Sequence, residues 1–174
     1  MASLTALRDK IGHAARAEAD QYSGETERPL RGYAITMSVY AGVVTALAGV
    51  VKLTHTEPPD GLSERDVVLC AAATHKLSRL LAKDPVTSPL RAPFTEFRGT
   101  QGPAELAEDV RAGGQRKALG ELITCPFCTA VWVATGFTAG LLLLPRTTRI
   151  AMGALAALAG ADFLHFAHAR LDPS

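Results

Sequence analysis

Two long apolar runs constrain the fold of this chain more than any other feature of its sequence. Residues 33–53 carry no charge before Lys52, and residues 119–144 carry a single charged residue, Glu121. A helix needs about 20 predominantly apolar residues to cross the hydrocarbon layer of a membrane. The sequence therefore predicts a membrane-crossing helix at each of these two places.

Two further segments predict membrane-embedded helices. Residues 66–83 begin apolar and end cationic, and they approach the lower limit of about 17 residues for a crossing. An amphipathic helix of a soluble protein is the alternative interpretation of this segment. Residues 149–168 are rich in Gly and Ala, which allow helices to pack closely in a membrane. The predicted fold class is all-α, a polytopic membrane protein with a bundle of four membrane-embedded helices.

The chain is expected to begin with a cytoplasmic lead, residues 1–31, followed by a single four-helix membrane domain, residues 32–170. Within the lead, residues 3–21 predict an amphipathic helix, because Leu4, Leu7, Ile11 and Ala14 recur at helical spacing. One interpretation is a helix that lies on the membrane surface, and the other is a weakly ordered polar segment.

The segment between the second and third crossings, residues 84–118, is expected to be a cytoplasmic loop. Residues 84–103 contain four prolines, which predicts an irregular path. Residues 104–111 predict a short polar helix that stops at Gly113 and Gly114.

The distribution of Lys and Arg predicts which side of the membrane each segment occupies. The N-terminal segment, the 83–118 segment and the tail carry five, six and one of these residues, and the segments on the opposite side carry four. Cytoplasmic segments carry the excess of Lys and Arg. Both termini and the long middle loop are therefore expected in the cytoplasm of a bacterium, with the helices in its cytoplasmic membrane.

Composition argues against a role in binding nucleic acid. The formal net charge is +1 and aromatic residues make up 6% of the chain, so there is neither a strong positive field nor a set of base-stacking rings. The three cysteines are an odd number, which does not fit the disulfide framework of a small secreted domain.

Several polar residues are expected at similar depth in the inner leaflet, given a rise of about 1.5 Å per residue. Ionisable groups at that depth are costly unless they are paired. We expect Lys76 and Arg79 to pair with Glu121 and Asp162 and to hold three helices together. A functional pocket built from the same residues is the alternative. The full set at this depth is His75, Lys76, Arg79, Glu121, Cys125, Cys128, Asp162 and His165.

The C-P-F-C motif at residues 125–128 has three interpretations. A C-x-x-C at the start of a helix lowers a thiol pKa and suits disulfide exchange. Two cysteines with His75 and His165 provide ligands for tetrahedral zinc. Buried, polarizable thiols at a helix end are the third interpretation, and the one preferred here, with no cofactor.

Gly136 and Gly140 form a G-x-x-x-G pattern within the 119–144 run. This pattern allows close approach of two membrane helices. It predicts tight packing there, either within the chain or between two copies of it.

The run T-H-K-L-S-R-L-L-A-K-D (74–84), the P-L-R at 89–91 and the run L-I-T-C-P-F-C-T-A-V-W (122–132) resemble the bacterial family known as domain of unknown function 1360. The resemblance covers about residues 66–170 and implies a small membrane protein. Some members carry a sporulation label, which implies a setting rather than a reaction. The residues that match the family pattern are Arg79, Asp84, Pro89, Arg91, Cys125, Cys128 and Trp132.

Together these features predict a non-enzymatic membrane protein that anchors or docks a protein partner on its cytoplasmic face, in contact with membrane lipids. The alternative is a thiol-redox or metal-binding membrane protein that uses Cys125 and Cys128. The charge and spacing patterns do not identify a reaction or a substrate.

Overall fold

The structure is a computed structural model that describes residues 2–23, 28–54, 61–111 and 113–171. Side chains are not described at positions 2–4 and 8, so the predicted contribution of Leu4 to an apolar face lies outside the described part. A helix occupies the N-terminal segment, close to the predicted bounds.

The described residues form helices and one β-hairpin. The elements in chain order are α1 (Ala2–Ser23), α2 (Leu30–Leu53), α3 (Glu64–Lys83), a 3-10 turn (Pro85–Thr87), α4 (Ser88–Arg91), β1 (Thr95–Gly102), β2 (Glu105–Val110), α5 (Gly114–Thr124), α6 (Pro126–Leu143) and α7 (Pro145–Leu171).

Helix α3 lies at the centre of the bundle, packed against both α6 and α7. The Ser63 side chain caps its first turn by accepting a hydrogen bond of 3.1 Å from the Asp66 amide. The helix ends at Lys83, because Pro85 disfavours helical backbone at Asp84, which is extended. The buried apolar core lies between these three helices and is centred on Ala73, Leu141 and Met152.

Polar contacts define the relative directions of the helices. Asp66 and Lys76 of α3 contact Arg149 and Asp162 of α7, so α3 and α7 run in the same direction. Helix α6 joins α7 through a single residue at position 144, and therefore runs in the opposite direction.

Helix α2 runs parallel to α6. The Tyr33 hydroxyl at its start donates a hydrogen bond to Glu121 of α5, which directly precedes α6. Tyr40, about two turns later, makes a hydrogen bond with Thr135 within α6. Gly32 permits a close crossing with α5, because a Cβ at this position would lie 2.6 Å from the Ala118 Cβ.

The predicted helix over 119–144 is two helices, which corrects the sequence-based boundary. The break falls at Cys125, directly before Pro126, where the backbone is extended (φ −98°, ψ 109°). Proline at the first helical position starts a new helix readily and disfavours helical backbone at the residue before it. Residues 119–124 consequently belong to α5, and the apolar helix covers Pro126–Leu143.

The described chain is mostly helical, as the fold class predicts, but the β-hairpin shows that the irregular path over 84–103 and the short helix at 104–111 were wrong. Strands β1 and β2 pair antiparallel from Thr95↔Val110 to Gly102↔Glu105. An isolated polar helix of eight residues cannot offset its nucleation cost, whereas a hairpin gains a partner strand. Gly99, with φ 140°, accommodates the irregular register between Phe97 and Gly99.

Among the described residues, three helices are long and apolar enough to cross a membrane: α2, α6 and α7. The predicted fourth, α3, is not one of them. Much of the apolar surface of α2 and α7 faces outward, as at Met37 and Ile150, which are 73% and 74% exposed. Outward-facing apolar surface on such helices is compatible with a surrounding membrane.

Candidate functional site

A folded cap closes one end of the helix bundle. We define the cap as residues 84–111 and 113–124, which comprise the 3-10 turn, α4, the hairpin and α5. Helix α5 packs on the base of the hairpin, where Gly120 leaves room for Val110: a Cβ at position 120 would lie 2.7 Å from Val110 Cγ1. The Arg111 guanidinium donates to the Ala92 carbonyl at 2.9 Å and closes the hairpin onto α4.

The completely buried side chain of Arg91 holds the cap to α3. Its Nε donates to Glu108 Oε2 of β2 at 2.5 Å. Its Nη1 donates to the Leu81 carbonyl at 2.8 Å, and its Nη2 donates to the Asp84 carbonyl at 3.0 Å. These carbonyls lie at the C-terminal end of α3, where a positive charge is favourable. One side chain therefore connects a helix end to a strand of the hairpin.

Three residues of the family pattern lie in this connection: Arg91 itself, Asp84 and Pro89. Asp84 accepts a hydrogen bond of 2.9 Å from the Val86 amide and so starts the 3-10 turn. Pro89 lies in the first turn of α4, where its fixed φ suits a helix start. The Thr87 hydroxyl accepts a hydrogen bond of 2.7 Å from Arg91 Nη1 and donates one of 2.5 Å to the Leu80 carbonyl. The P-L-R segment therefore has a structural role at the end of α3.

Trp132, another residue of the family pattern, contacts α2. Its ring lies edge-on to Tyr40, with 5.1 Å between ring centroids and 73° between the planes. Edge-to-face geometry is the preferred arrangement of aromatic pairs. Trp132 therefore packs α6 against α2.

The polar residues expected to pair do so in a different combination. Lys76 Nζ lies 2.6 Å from Asp162 Oδ2 and joins α3 to α7. Arg79 pairs with Glu105 at the tip of the hairpin, and not with Glu121. Glu121 instead accepts a hydrogen bond from the Tyr33 hydroxyl, and its Oε1 lies 3.8 Å from Arg28 Nη1.

Several of these residues line a cavity of about 660 Å³ between α3, α7 and the turn of the hairpin. Its polar part includes His75 and His165, which the structure brings to the same cavity. Its apolar part includes Leu80, Phe163 and Phe166. The remaining residues of its lining are Lys76, Arg79, Lys83, Asp84, Pro103, Ala104, Glu105, Ala159, Asp162 and Ala169.

Cys125 and Cys128 lie at the junction of α5 and α6, outside the lining of this cavity. The Cys125 Sγ accepts from the Cys128 amide at 3.4 Å, so Cys125 caps the first turn of α6. Both thiols are free, and Cys128 is the more exposed. Partial burial acts to raise the pKa of Cys125. Hydrogen bonds from the Cys128 thiol and from the amides of Cys128 and Phe127, together with the positive charge of Lys83, outweigh it, and the pKa is lowered.

The structure does not assemble the four residues considered for zinc. In the part of the chain that the structure describes, no group of three or more His, Cys, Asp and Glu side chains is placed to hold a metal ion. His75 and His165 line the cavity, while Cys125 and Cys128 form their own junction. A zinc ion at Cys125 and Cys128 remains a prediction.

Two polar contacts were not identified from the sequence, one at the end of the bundle opposite the cap and one within the cap. Arg149 forms a bidentate ion pair with Asp66, in which Nε lies 2.8 Å from Oδ1 and Nη2 lies 2.9 Å from Oδ2. Glu108, the buried partner of Arg91, was also missed. Opposite charges at corresponding ends of α3 and α7 were the available signal for the first pair. The Arg91–Glu108 pair could have been found only by predicting the hairpin that carries Glu108.

These features define a class of small, mainly helical proteins. The described part of this chain has three helices capable of crossing a membrane and a folded cap at one end of the bundle. The chain belongs to the family described as protein of unknown function (DUF1360), whose model matches residues 69–168. It is similar to the sporulation protein YjcA of Bacillus subtilis (strain 168), with 33% identity over 99 residues, 54% of this chain and 84% of that protein. No solved structure matches the chain.

Proposed function

We propose that the chain is an integral membrane protein whose four helices α2, α3, α6 and α7 all cross the membrane, and whose cap is a preformed cytoplasmic docking platform for a protein partner. The observation that carries the docking role is the buried Arg91–Glu108 connection, which gives the cap a defined shape. A flexible linker between two membrane helices would not need a buried ion pair.

The directions of the helices support four crossings. Helices α2 and α6 run parallel, so α6 starts on the side where α2 starts. If α2 and α6 both cross, the chain must return between them, and α3 is the helix available for this return. Its polar residues are compatible with a crossing, since Lys76 is paired with Asp162 and Asp66 with Arg149.

The excess of Lys and Arg at the cap end supports a cytoplasmic location for the cap and for both termini. The other end of the bundle carries Lys52, Arg65, Arg146 and Arg149, the last of which is already paired. Helix α1, attached to α2 at the cap end, is proposed to lie on the inner surface of the membrane.

Labelling of single cysteines tests this topology. In a chain without its own cysteines, Arg98→Cys places a thiol on the cap, and Arg146→Cys places one at the opposite end. A membrane-impermeant maleimide applied to intact cells is expected to label position 146 only, and position 98 only after permeabilisation. Labelling of both positions in intact cells would reject the four-crossing arrangement.

Crosslinking tests the docking role. Phe97 on β1 is 62% exposed on the cap, and Val44 on α2 is 39% exposed on an apolar helix. A photo-crosslinking amino acid at position 97 is expected to give one discrete adduct with another protein in the cells of origin. The matched position 44 is expected to give none. Equal adduct patterns from the two positions, or none from 97, would contradict the proposal.

The setting proposed for this docking is spore formation, on the basis of the name of the relative alone. The test is a comparison of protein level in the cells of origin before and during spore formation, measured with an antibody against the cap. An unchanged level, or cells that form no spores, would remove this part of the proposal.

A second candidate function is thiol redox chemistry, favoured by the lowered pKa of Cys125 beside Cys128. The thiols are to be counted on protein extracted without oxygen, before and after unfolding, with and without chelator and reductant. Three reactive thiols after unfolding in every condition would reject both redox and metal roles. One thiol that becomes three with reductant would support a disulfide, and protection until chelator is added would support a metal site.

A further inference from the structure

We propose that the cavity between α3, α7 and the turn of the hairpin binds the phosphate group of an anionic phospholipid from the inner leaflet. This inference rests on the proposed four-crossing arrangement, which places the cavity at the inner boundary of the membrane. Its ligand is recognised by basic side chains and by aromatic side chains that line the same cavity.

The basic side chains of the cavity divide into paired and available groups. Lys76 and Arg79 are neutralised by Asp162 and Glu105. Among the described residues, Lys83, His75 and His165 make no hydrogen bond or ion pair with another side chain. Lys83 and the two imidazoles therefore remain as donors for a bound anion.

The acidic side chains of the cavity are engaged in the structure. Asp162 and Glu105 are the partners of the two paired cations, and Asp84 accepts a hydrogen bond from the Val86 amide. Their engagement reduces their repulsion of an incoming phosphate. The available groups thus favour an anion over a cation in a cavity whose formal Lys, Arg, Asp and Glu charges cancel.

The apolar wall favours a lipid over a free anion. Phe163 and Phe166 of α7 are 75% and 53% exposed and flank the cationic wall, together with Leu80 of α3. Aromatic side chains are favourable at the boundary between headgroups and hydrocarbon, where one end of a ligand is polar and the other apolar. A phosphate held by Lys83 would leave acyl chains against Phe163 and Phe166, whereas inorganic phosphate would gain nothing from that wall.

Native mass spectrometry of the full chain in detergent tests this site. The probes are phosphatidylglycerol, phosphatidylcholine and inorganic phosphate. Phosphatidylglycerol is expected to bind more tightly than phosphatidylcholine, and Lys83→Gln is expected to weaken its binding about fivefold, the effect of one basic residue near an anionic lipid. The matched control Arg98→Gln removes a cation from the exposed cap outside the cavity and is expected to leave binding unchanged.

Three outcomes would overturn the proposal: equal binding of the two lipids, equal loss in Lys83→Gln and Arg98→Gln, or displacement of phosphatidylglycerol by inorganic phosphate at equal concentration. The last would assign the cavity to a soluble phosphate. Thermal unfolding without lipid must be the same in both variants, and His165→Gln provides a second variant if Lys83→Gln is unstable. The cysteine labelling described above separates failure of the lipid site from failure of the topology.

Discussion

Arg91 and Glu108 form an ion pair in which the side chains are 0% and 6% exposed. The pair connects α4 to β2 and, through the other hydrogen bonds of Arg91, to the last turn of α3. Thr95 adds a hydrogen bond of 3.0 Å to the Arg91 carbonyl and lies 3.4 Å from Glu108 Oε1. Among the described residues, no buried side-chain nitrogen or oxygen lacks a hydrogen-bond partner, so this junction leaves no buried polar side-chain atom unsatisfied.

Loss of one partner of this pair should open the cap. Arg91→Met leaves the Glu108 carboxylate buried without its cation, which costs about 3–5 kcal/mol when a buried pair is broken. The expected result is faster hydrogen exchange at the β1 and β2 amides, measured by mass spectrometry in detergent, while α6 and α7 stay protected. The control is Arg98→Met, which removes an exposed pair with Asp109 worth about 0–1 kcal/mol. Unchanged exchange in Arg91→Met would show that the pair does not hold the hairpin.

The apolar helices could be predicted from sequence because their signal is local. A run of apolar residues long enough to cross a membrane is visible within one segment, as in α2 and in 126–143 of the longer predicted run. The hairpin was not predictable in this way, since its stability depends on Glu108 meeting Arg91, which comes 17 residues earlier in the chain. Short polar strands have no strong periodicity of their own.

The candidate site was only partly predictable for a similar reason. Depth along the helices placed Lys76 and Asp162 at comparable levels, and the structure has them in contact. Depth says nothing about rotation of a helix or about the cap. Arg79 was therefore expected to pair with Glu121 or Asp162, although its partner is Glu105 of the hairpin. The break at Cys125 could have been predicted from Pro126, because proline disfavours helical backbone at the preceding residue.

The contact between Lys76 and Asp162 should stabilise the packing of α3 on α7. Lys76→Met leaves Asp162 without its cation, and an unpaired charge within a membrane helix costs up to about 3 kcal/mol. The double variant Lys76→Met with Asp162→Leu removes both charges and should recover most of that loss. The measurement is the free energy of unfolding in detergent mixtures. A double variant as unstable as the single one would exclude a direct coupling between the two residues.

Gly140 and Gly136 should respond differently to the same substitution. A Cβ at Gly140 would lie 2.6 Å from Thr148 Oγ1 at the start of α7, whereas a Cβ at Gly136 meets nothing within 4 Å. Gly140→Ala is therefore expected to destabilise the α6–α7 turn by about 1–3 kcal/mol, the usual cost of overpacking. Thr148→Ala in the same chain should relieve the clash and restore stability in thermal unfolding.

Gly136→Leu tests whether two copies of the chain associate through the G-x-x-x-G pattern of Gly136 and Gly140, one of the two kinds of packing that the sequence predicts. Its Cα faces open space in the single chain, so the variant should keep the stability of the monomer. If two copies pack there, crosslinking in membranes would give less dimer than the unaltered chain. An unaltered dimer yield would exclude this face as the interface, and the tight packing predicted for the pattern would then be confined to Gly140.

The Cys125 thiol should react at lower pH than an ordinary thiol. Its pKa lies below the ordinary value of 9.0, because the Cys128 thiol and nearby amides donate hydrogen bonds that favour the thiolate over the effect of partial burial. More thiolate is then present at neutral pH, so the midpoint of alkylation against pH is displaced downward. Cys128→Ala removes one donor and should move that midpoint upward, toward the ordinary value.

Alkylation by iodoacetamide over a series of pH values, with the label at each cysteine located by mass spectrometry, measures both midpoints. Cys70 provides an internal comparison, since it packs beside the core of the bundle, away from the C-P-F-C junction. A Cys125 midpoint that stays in place or falls in Cys128→Ala would show that the Cys128 thiol does not stabilise the thiolate. In that case the redox alternative would lose its physical basis, and Cys125 would be left with its role as the cap of α6.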